Sequence, residues 1–161
     1  MDTATGFGLV QIAPALKRSA PVSDPFEPND DMVWIDGRAF RKPDPSVYSG
    51  HGTKSINAEV DRYEDPSDVY RVTVPGRARV RVSVSPRSGD PDLAVYRRGA
   101  TSIGDASRLV AISRRGGGHG DGISFTNRER TSRSFYARVF IHATTSRLDS
   151  AYVLHLRRLR R

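Results

Sequence analysis

From residue 55 onward the chain alternates apolar and polar positions with a period of two. In "DVYRVTVP" (68–75), Tyr70, Val72 and Val74 alternate with Arg71 and Thr73. In "ARVRVSVS" (78–85), Val80, Val82 and Val84 alternate with Arg79, Arg81 and Ser83. Successive side chains of a strand point to opposite faces, so this pattern predicts strands with one buried face and one wet face. The same reading places strands at "SINAEVD" (55–61), "DLAVY" (92–96), "RLVAIS" (108–113), "GISFT" (122–126), "SFYARVFI" (134–141) and "AYVLHL" (151–156). Gly, Ser, Asp and Asn separate them, as turns require. About eight short strands without strand–helix alternation predict an all-β fold, an antiparallel β-sandwich of the jelly-roll kind. The Pro75-Gly76 pair marks a tight turn, which predicts a hairpin between the strands on either side of it. The stretch "RRGGGHGDG" (114–122) is read as a flexible hairpin loop.

The N-terminal part obeys a different period. In residues 7–18, "FGLVQIAPALKR", the apolar positions Leu9, Ile12, Ala13 and Leu16 recur at helical spacing. Pro14 restricts the helix to a start near Ile12 or Ala13, and Lys17 and Arg18 suit a helix C-terminus. The stretch "SAPVSDPFEPNDD" (19–31) then reads as a linker or an irregular, ligand-bearing loop. Trp34, the one tryptophan, is expected to anchor packing. Tyr96, Tyr136 and Tyr152 lie in strands, with a core role expected for alternate ones and a ligand-contacting face as the other reading.

Composition narrows the chemistry. There is no cysteine, so disulfides and thiolate metal sites are excluded. No apolar run is long enough to cross a membrane as a helix. The first residues lack a basic start followed by an apolar core, so a signal peptide, if the protein is secreted, is expected upstream of them. The formal net charge of +8 is unevenly spread: residues 1–70 hold 7 Lys/Arg against 12 Asp/Glu, and residues 71–161 hold 19 against 6. The basic half reads as a solvated surface that discourages edge pairing, or as a surface facing a polyanion. On the second reading Arg77, Arg79 and Arg81 point one way, Arg71 sits on the neighbouring strand, and Arg157, Arg158, Arg160 and Arg161 extend the patch. Sparse aromatic interleaving argues against a single-stranded nucleic-acid partner.

Three stretches carry candidate chemistry. His51-Gly52-Thr53 matches part of the stretch around a protease histidine, but an alternating strand follows it. A general base also needs a nucleophile and an orienting carboxylate, which nothing nearby supplies, so His51 is read as a loop residue. The glycine run at 116–118 lacks the Gly-Lys-Ser/Thr ending of a phosphate loop. The acidic stretches offer more. "EPNDD" presents Glu27, Asn29, Asp30 and Asp31, and "EDPSD" presents Asp65 and Asp68 just before a strand. These are the hard oxygen donors that calcium takes in sets of six to eight. The competing reading is turn chemistry, with Asp30 capping a turn, Asn29 in an Asx-turn and Asp65 starting the 65–68 turn.

The order "DPFEPNDD", "DPSDVYRVTVP", "RVRVSVSP…GDPDLAVY" and "SFYARVFI…AYVLHL" resembles the bacterial pre-peptidase C-terminal domain, over about residues 24–159. The stretch "TGFGLVQIAPAL" resembles the end of a subtilisin-like catalytic domain. The resemblance implies a remnant of that domain at 1–20, an acidic linker or loop at 21–33 and the sandwich at 34–161. It also implies a non-catalytic C-terminal accessory domain of a secreted serine protease, with the upstream catalytic domain as partner. The protease family's own motifs, Asp-Thr/Ser-Gly and Gly-Thr-Ser-Met-Ala, are absent from the sequence. Related sandwiches in collagenases share calcium between an N-terminal acidic segment and an acidic loop. By that resemblance Glu27, Asn29, Asp30, Asp65 and Asp68 would be ligands of Ca2+. The rival it admits is a calcium-stabilised adhesion module for collagen, polysaccharide or another extracellular polymer.

Overall fold

The computed structural model describes residues 25–40, 42–63 and 65–160. The helix expected within 7–18, and the protease remnant at 1–20, lie outside the described residues. A short helix α1 (Met32–Ile35) precedes eight strands: β1 (Thr53–Asp61), β2 (Ser67–Val74), β3 (Arg79–Pro86), β4 (Pro91–Arg97), β5 (Leu109–Ser113), β6 (Asp121–Thr126), β7 (Arg133–Ile141) and β8 (Asp149–Leu159). A single 3-10 turn, Ala106–Arg108, leads into β5. Each segment read from the alternation falls on one of the eight strands, to within one residue of its bounds.

The strands form two four-stranded antiparallel sheets, ordered β1-β8-β3-β6 and β2-β7-β4-β5. That pair of orders is the jelly-roll topology. The two inner faces meet in one apolar core, with Val72, Val74, Val80, Val82, Leu93, Leu154 and Leu156 all at most 1% exposed. Each large side chain buried this way contributes roughly 1.5–3 kcal/mol, before conformational entropy is charged against it. A second cluster covers the outer face of the β2-β7-β4-β5 sheet. There Met32 and Ile35 of α1 pack on Val69, Ala94, Tyr96, Tyr136 and Phe140. This covering explains why β4 is buried at six successive positions from Pro91 to Tyr96 rather than at alternate ones. Tyr96, Tyr136 and Tyr152 are all buried, as core residues.

Trp34 does not anchor the core. It is 36% exposed and tilts over Phe40, with ring centroids 5.4 Å apart, while its neighbours Met32 and Ile35 take the buried face of the turn. The expected hairpin at Pro75-Gly76 is also corrected. β2 and β3 lie in different sheets, and the link crosses between them. Alternation fixes which face of each strand is apolar, and two such faces are buried equally well side by side or face to face. What holds the crossing is Asn127, 1% exposed, whose Nδ2 donates to the carbonyls of Val74 (2.9 Å), Pro75 (3.1 Å) and Thr131 (2.9 Å). Gly76 lies so close to this second loop that a Cβ would stand 2.0 Å from the Arg130 carbonyl oxygen. The glycine-rich stretch 114–120 is likewise no hairpin loop, because β5 and β6 are in opposite sheets. Only β4–β5 is a hairpin between neighbours in sequence; every other link between consecutive strands changes sheet.

Candidate metal centre

Three segments meet where β2 begins. The first, residues 26–31, runs alongside the strand: Val69 N–H donates to the Asn29 carbonyl (2.8 Å) and Ser67 Oγ to the Asp30 carbonyl (2.9 Å). Phe26 sets this segment on the core by meeting Tyr70 edge-on, with centroids 5.6 Å apart. Glu27 turns back on its own segment, its Oε2 accepting from Asn29 N–H at 3.2 Å. The second segment is the β1–β2 turn. It closes through Asp61 N–H to the Asp65 carbonyl (2.7 Å), with Tyr63 N–H on Asp61 Oδ1 (2.8 Å). The third is the start of β2 itself, which carries Asp68.

These segments bring one carboxylate oxygen each of Glu27, Asp65 and Asp68 within 4.8 Å of one another. Asp68 is fully buried and Asn29 is 1% exposed. Neither polar atom of the Asn29 side chain has a hydrogen-bond partner among the described residues, and neither does Asp30 Oδ1. A buried amide left in that state costs about 1–3 kcal/mol. Three converging carboxylates also repel one another. A hard cation answers both problems, and carboxylate plus amide oxygen is a donor set that fits calcium. Of the five expected ligands, then, the fold gathers three carboxylates and places Asn29 beside them. The Asp30 carboxylate falls outside that close set. The turn-chemistry reading of Asp30 is corrected: Asp31 caps α1, its Oδ1 accepting from Val33 N–H at 3.3 Å. In these segments the Asx-type bonds are made by Asp31 and Asp61, and the Asn29 side chain makes none.

Behind the carboxylates sits a tyrosine pair. Tyr152 of β8 donates its hydroxyl to Asp68 Oδ2 across the sheets. Its single proton is then engaged, so the 2.8 Å contact between the two hydroxyls is Tyr70 donating to Tyr152. Burial, with the Asp68 carboxylate and Tyr70 adding to it, holds the Tyr152 phenol well above its ordinary pKa of 10.0. The phenol therefore remains a donor and keeps Asp68 oriented.

The fold also gathers a second set of buried acids. Asp90, Asp92 and Asp121 are 6%, 1% and 2% exposed. Asp90 accepts from Gly117 N–H (3.1 Å) and Gly118 N–H (3.2 Å). Asp121 accepts from Ser113 Oγ and from Arg115 N–H (3.2 Å). Asp92 faces His142 Nδ1 at 2.9 Å, and burial raises its pKa despite that partner. The glycine run thus turns its amides toward the chain's own carboxylates. The signal was in the sequence: acids written into or beside otherwise apolar strands, in "GDPDLAVY" and "DGISF".

The basic face divides between the sheets. Arg71 is on β2, hydrogen-bonded to Ser134 Oγ (3.3 Å) and the Asp44 carbonyl (3.3 Å), and is no neighbour of Arg79. The strand adjoining β3 on one side is β8, which carries Arg157 and Arg158. Arg77 lies before β3 in a left-handed conformation (φ 59°). Arg161 lies outside the described residues. His51 is exposed in the bend before β1.

No protein-family model matches the chain, and no curated protein matches it. Several solved structures align with it. The pre-peptidase C-terminal domain of a collagenase from Bacillus anthracis aligns at 16% identity and a TM-score of 0.48, over 72% of this chain and 100% of that one. PliG from Aeromonas hydrophila, a periplasmic inhibitor of g-type lysozyme, aligns at 12% identity and 0.44, over 71% and 96%. PliG from Salmonella Typhimurium aligns at 11% identity and 0.39, over 71% and 98%. With every TM-score below 0.5, the functional reading rests on this chain's own residues.

Proposed function

We propose that the chain is a non-catalytic accessory β-sandwich of a secreted, subtilisin-like serine protease, stabilised by calcium at the start of β2. The order of its motifs supports the accessory role. One observation carries the calcium reading: Glu27, Asp65 and Asp68 converge beside an Asn29 amide that is buried and hydrogen-bonded to no described residue. Glu27, Asn29, Asp65 and Asp68 would hold the ion, with Asp30 adjoining them. When bound, calcium supplies the positive charge that lets three carboxylates share one corner. The chain's own residues do the rest. Phe26 and the Asn29 and Asp30 carbonyls dock the acidic segment, and the 61–65 turn presents Asp65. Tyr152 fixes Asp68. In that role calcium would stiffen the acidic segment that leads into the sandwich.

Thermal unfolding with calcium and with chelator tests this. Calcium at a hundred times its dissociation constant should add about 2.7 kcal/mol of stability. The gain should vanish in Asn29→Ala and in Asp65→Ala. Equal unfolding temperatures in calcium and chelator, or a gain that survives both substitutions, would sink the reading.

A further inference from the structure

At the end of the sandwich away from the carboxylates, a groove of about 860 Å³ opens between the two sheets. Arg79 and Arg128 line it from one sheet and its loop, and Arg97, Arg98, Arg108 and Arg133 from the other. Its acidic lining residue is Glu129 alone. Five of the six arginines are exposed and Arg133 is half-buried. None of the six side chains makes a hydrogen bond or ion pair among the described residues. Around the same corner Arg79 also lines a second recess of about 490 Å³, together with Arg77, Arg158 and Arg160. The arginines therefore form a continuous track over one end of the fold.

Like charges gathered this densely repel one another, and six guanidiniums face Glu129 in the lining, with Asp105 near Arg108. The loop backbone beneath the track is tied down. Asn127 ties the loop carrying Arg128 to the β2–β3 link through three bonds, and Arg77 N–H donates to the Glu129 carbonyl at 3.0 Å. A preorganised frame lowers the ordering cost of binding.

We infer that this groove is a binding site for an acidic polysaccharide. Guanidinium forks bind planar carboxylates, and equally sulfate oxygens, through paired charge-assisted bonds. Between the arginines the groove offers the hydroxyls of Ser124, Thr126 and Ser134, which suit sugar hydroxyls. Its aromatics do not suit bases. Phe125 and Phe135 pack on each other at 4.8 Å and are only 7% and 9% exposed, so no stacking platform faces the ligand. The site is at the opposite end from the carboxylate cluster and its reading does not depend on calcium.

The test is fluorescence anisotropy of the 161-residue chain with labelled heparin, polygalacturonate, uncharged dextran and single-stranded DNA, in chelator at low ionic strength. Heparin carries sulfate and carboxylate, and polygalacturonate carboxylate alone, so the two separate the anionic groups. At least one of them should bind and dextran should not. The triple variant R97A/R108A/R133A should weaken that binding about tenfold or more. The triple R87A/R115A/R147A removes the same charge from exposed positions elsewhere and should stay within about twofold. Unfolding temperatures of both triples confirm that each is folded. Three results would each overturn the inference: no binding of either acidic polysaccharide, equal weakening by both triples, or DNA binding as tightly as the better polysaccharide.

Discussion

The two ends of the sandwich solve opposite electrostatic problems. The register aligns them: Asp61 pairs with Asp149 and Ser67 with Phe140 at one end, Thr53 with Arg157 and Val74 with Arg133 at the other. At the first end a set of carboxylates is buried or half-buried, and side chains, amides or a candidate cation site answer them. At the second the charges are guanidiniums, they are exposed, and the fold leaves them to solvent. Burial makes the difference. A buried charge must be answered within the structure or it prevents folding, whereas an exposed one costs little and remains available to a partner. One end therefore bears on stability and the other on recognition.

The largest expected effect breaks the first end. Asp68→Ala removes the acceptor of the buried Tyr152 hydroxyl and should cost about 2–3 kcal/mol in chelator. Asp68→Asn retains an acceptor and should cost less, while still abolishing the calcium gain. Denaturant unfolding of the pair separates the two roles. An alanine variant as stable as wild type would mean that Tyr152 finds another partner.

A smaller effect sharpens the contrast through two tyrosines. Burial raises the pKa of both Tyr48 and Tyr152 above 10.0. For Tyr152, Asp68 pushes further up, whereas for Tyr48 the nearby Arg158 pulls back down. A folded pKa above the unfolded one gives stability that is complete below about pH 10 and is lost as pH rises through the folded value. Alkaline unfolding should therefore begin above pH 10, and Tyr152→Phe should blunt it more than Tyr48→Phe. Phenolate absorbance recorded beside circular dichroism checks this. Full ionisation with the strand signal intact would contradict it.

The smallest effect concerns the exposed end. Screening its arginines, in chelator, from low salt to about 1 M, where the Debye length is about 3 Å, should raise stability by less than about 1 kcal/mol. R97A/R108A/R133A should flatten that slope. A slope unchanged by the triple would place the repulsion elsewhere.

The strands were legible because burial on one face writes period two into the chain, as Val80, Val82 and Val84 show. Their assignment to sheets was not, because Val72 and Val80 present the same apolar face whether their strands lie side by side or across the core. The acidic segment and Asp68 were legible as oxygen donors. Asp90 and Asp121 were marked only as acids beside apolar strands, since their partners, backbone amides and the Ser113 hydroxyl, belong to no motif. The groove escaped notice because its arginines come from five separate stretches that only the closed sandwich brings together.

The placement of β8 has a temporal consequence. The last strand is an inner member of its sheet, flanked by β1 and β3, and Ile56 of the one finds Leu154 as its neighbour. Those two residues stand far apart in the sequence. Until β8 is made, β1 and β3 have no strand between them and that sheet cannot close. The sheet is thus completed from its middle, and a chain truncated before Asp149 would leave a gap there rather than a frayed edge.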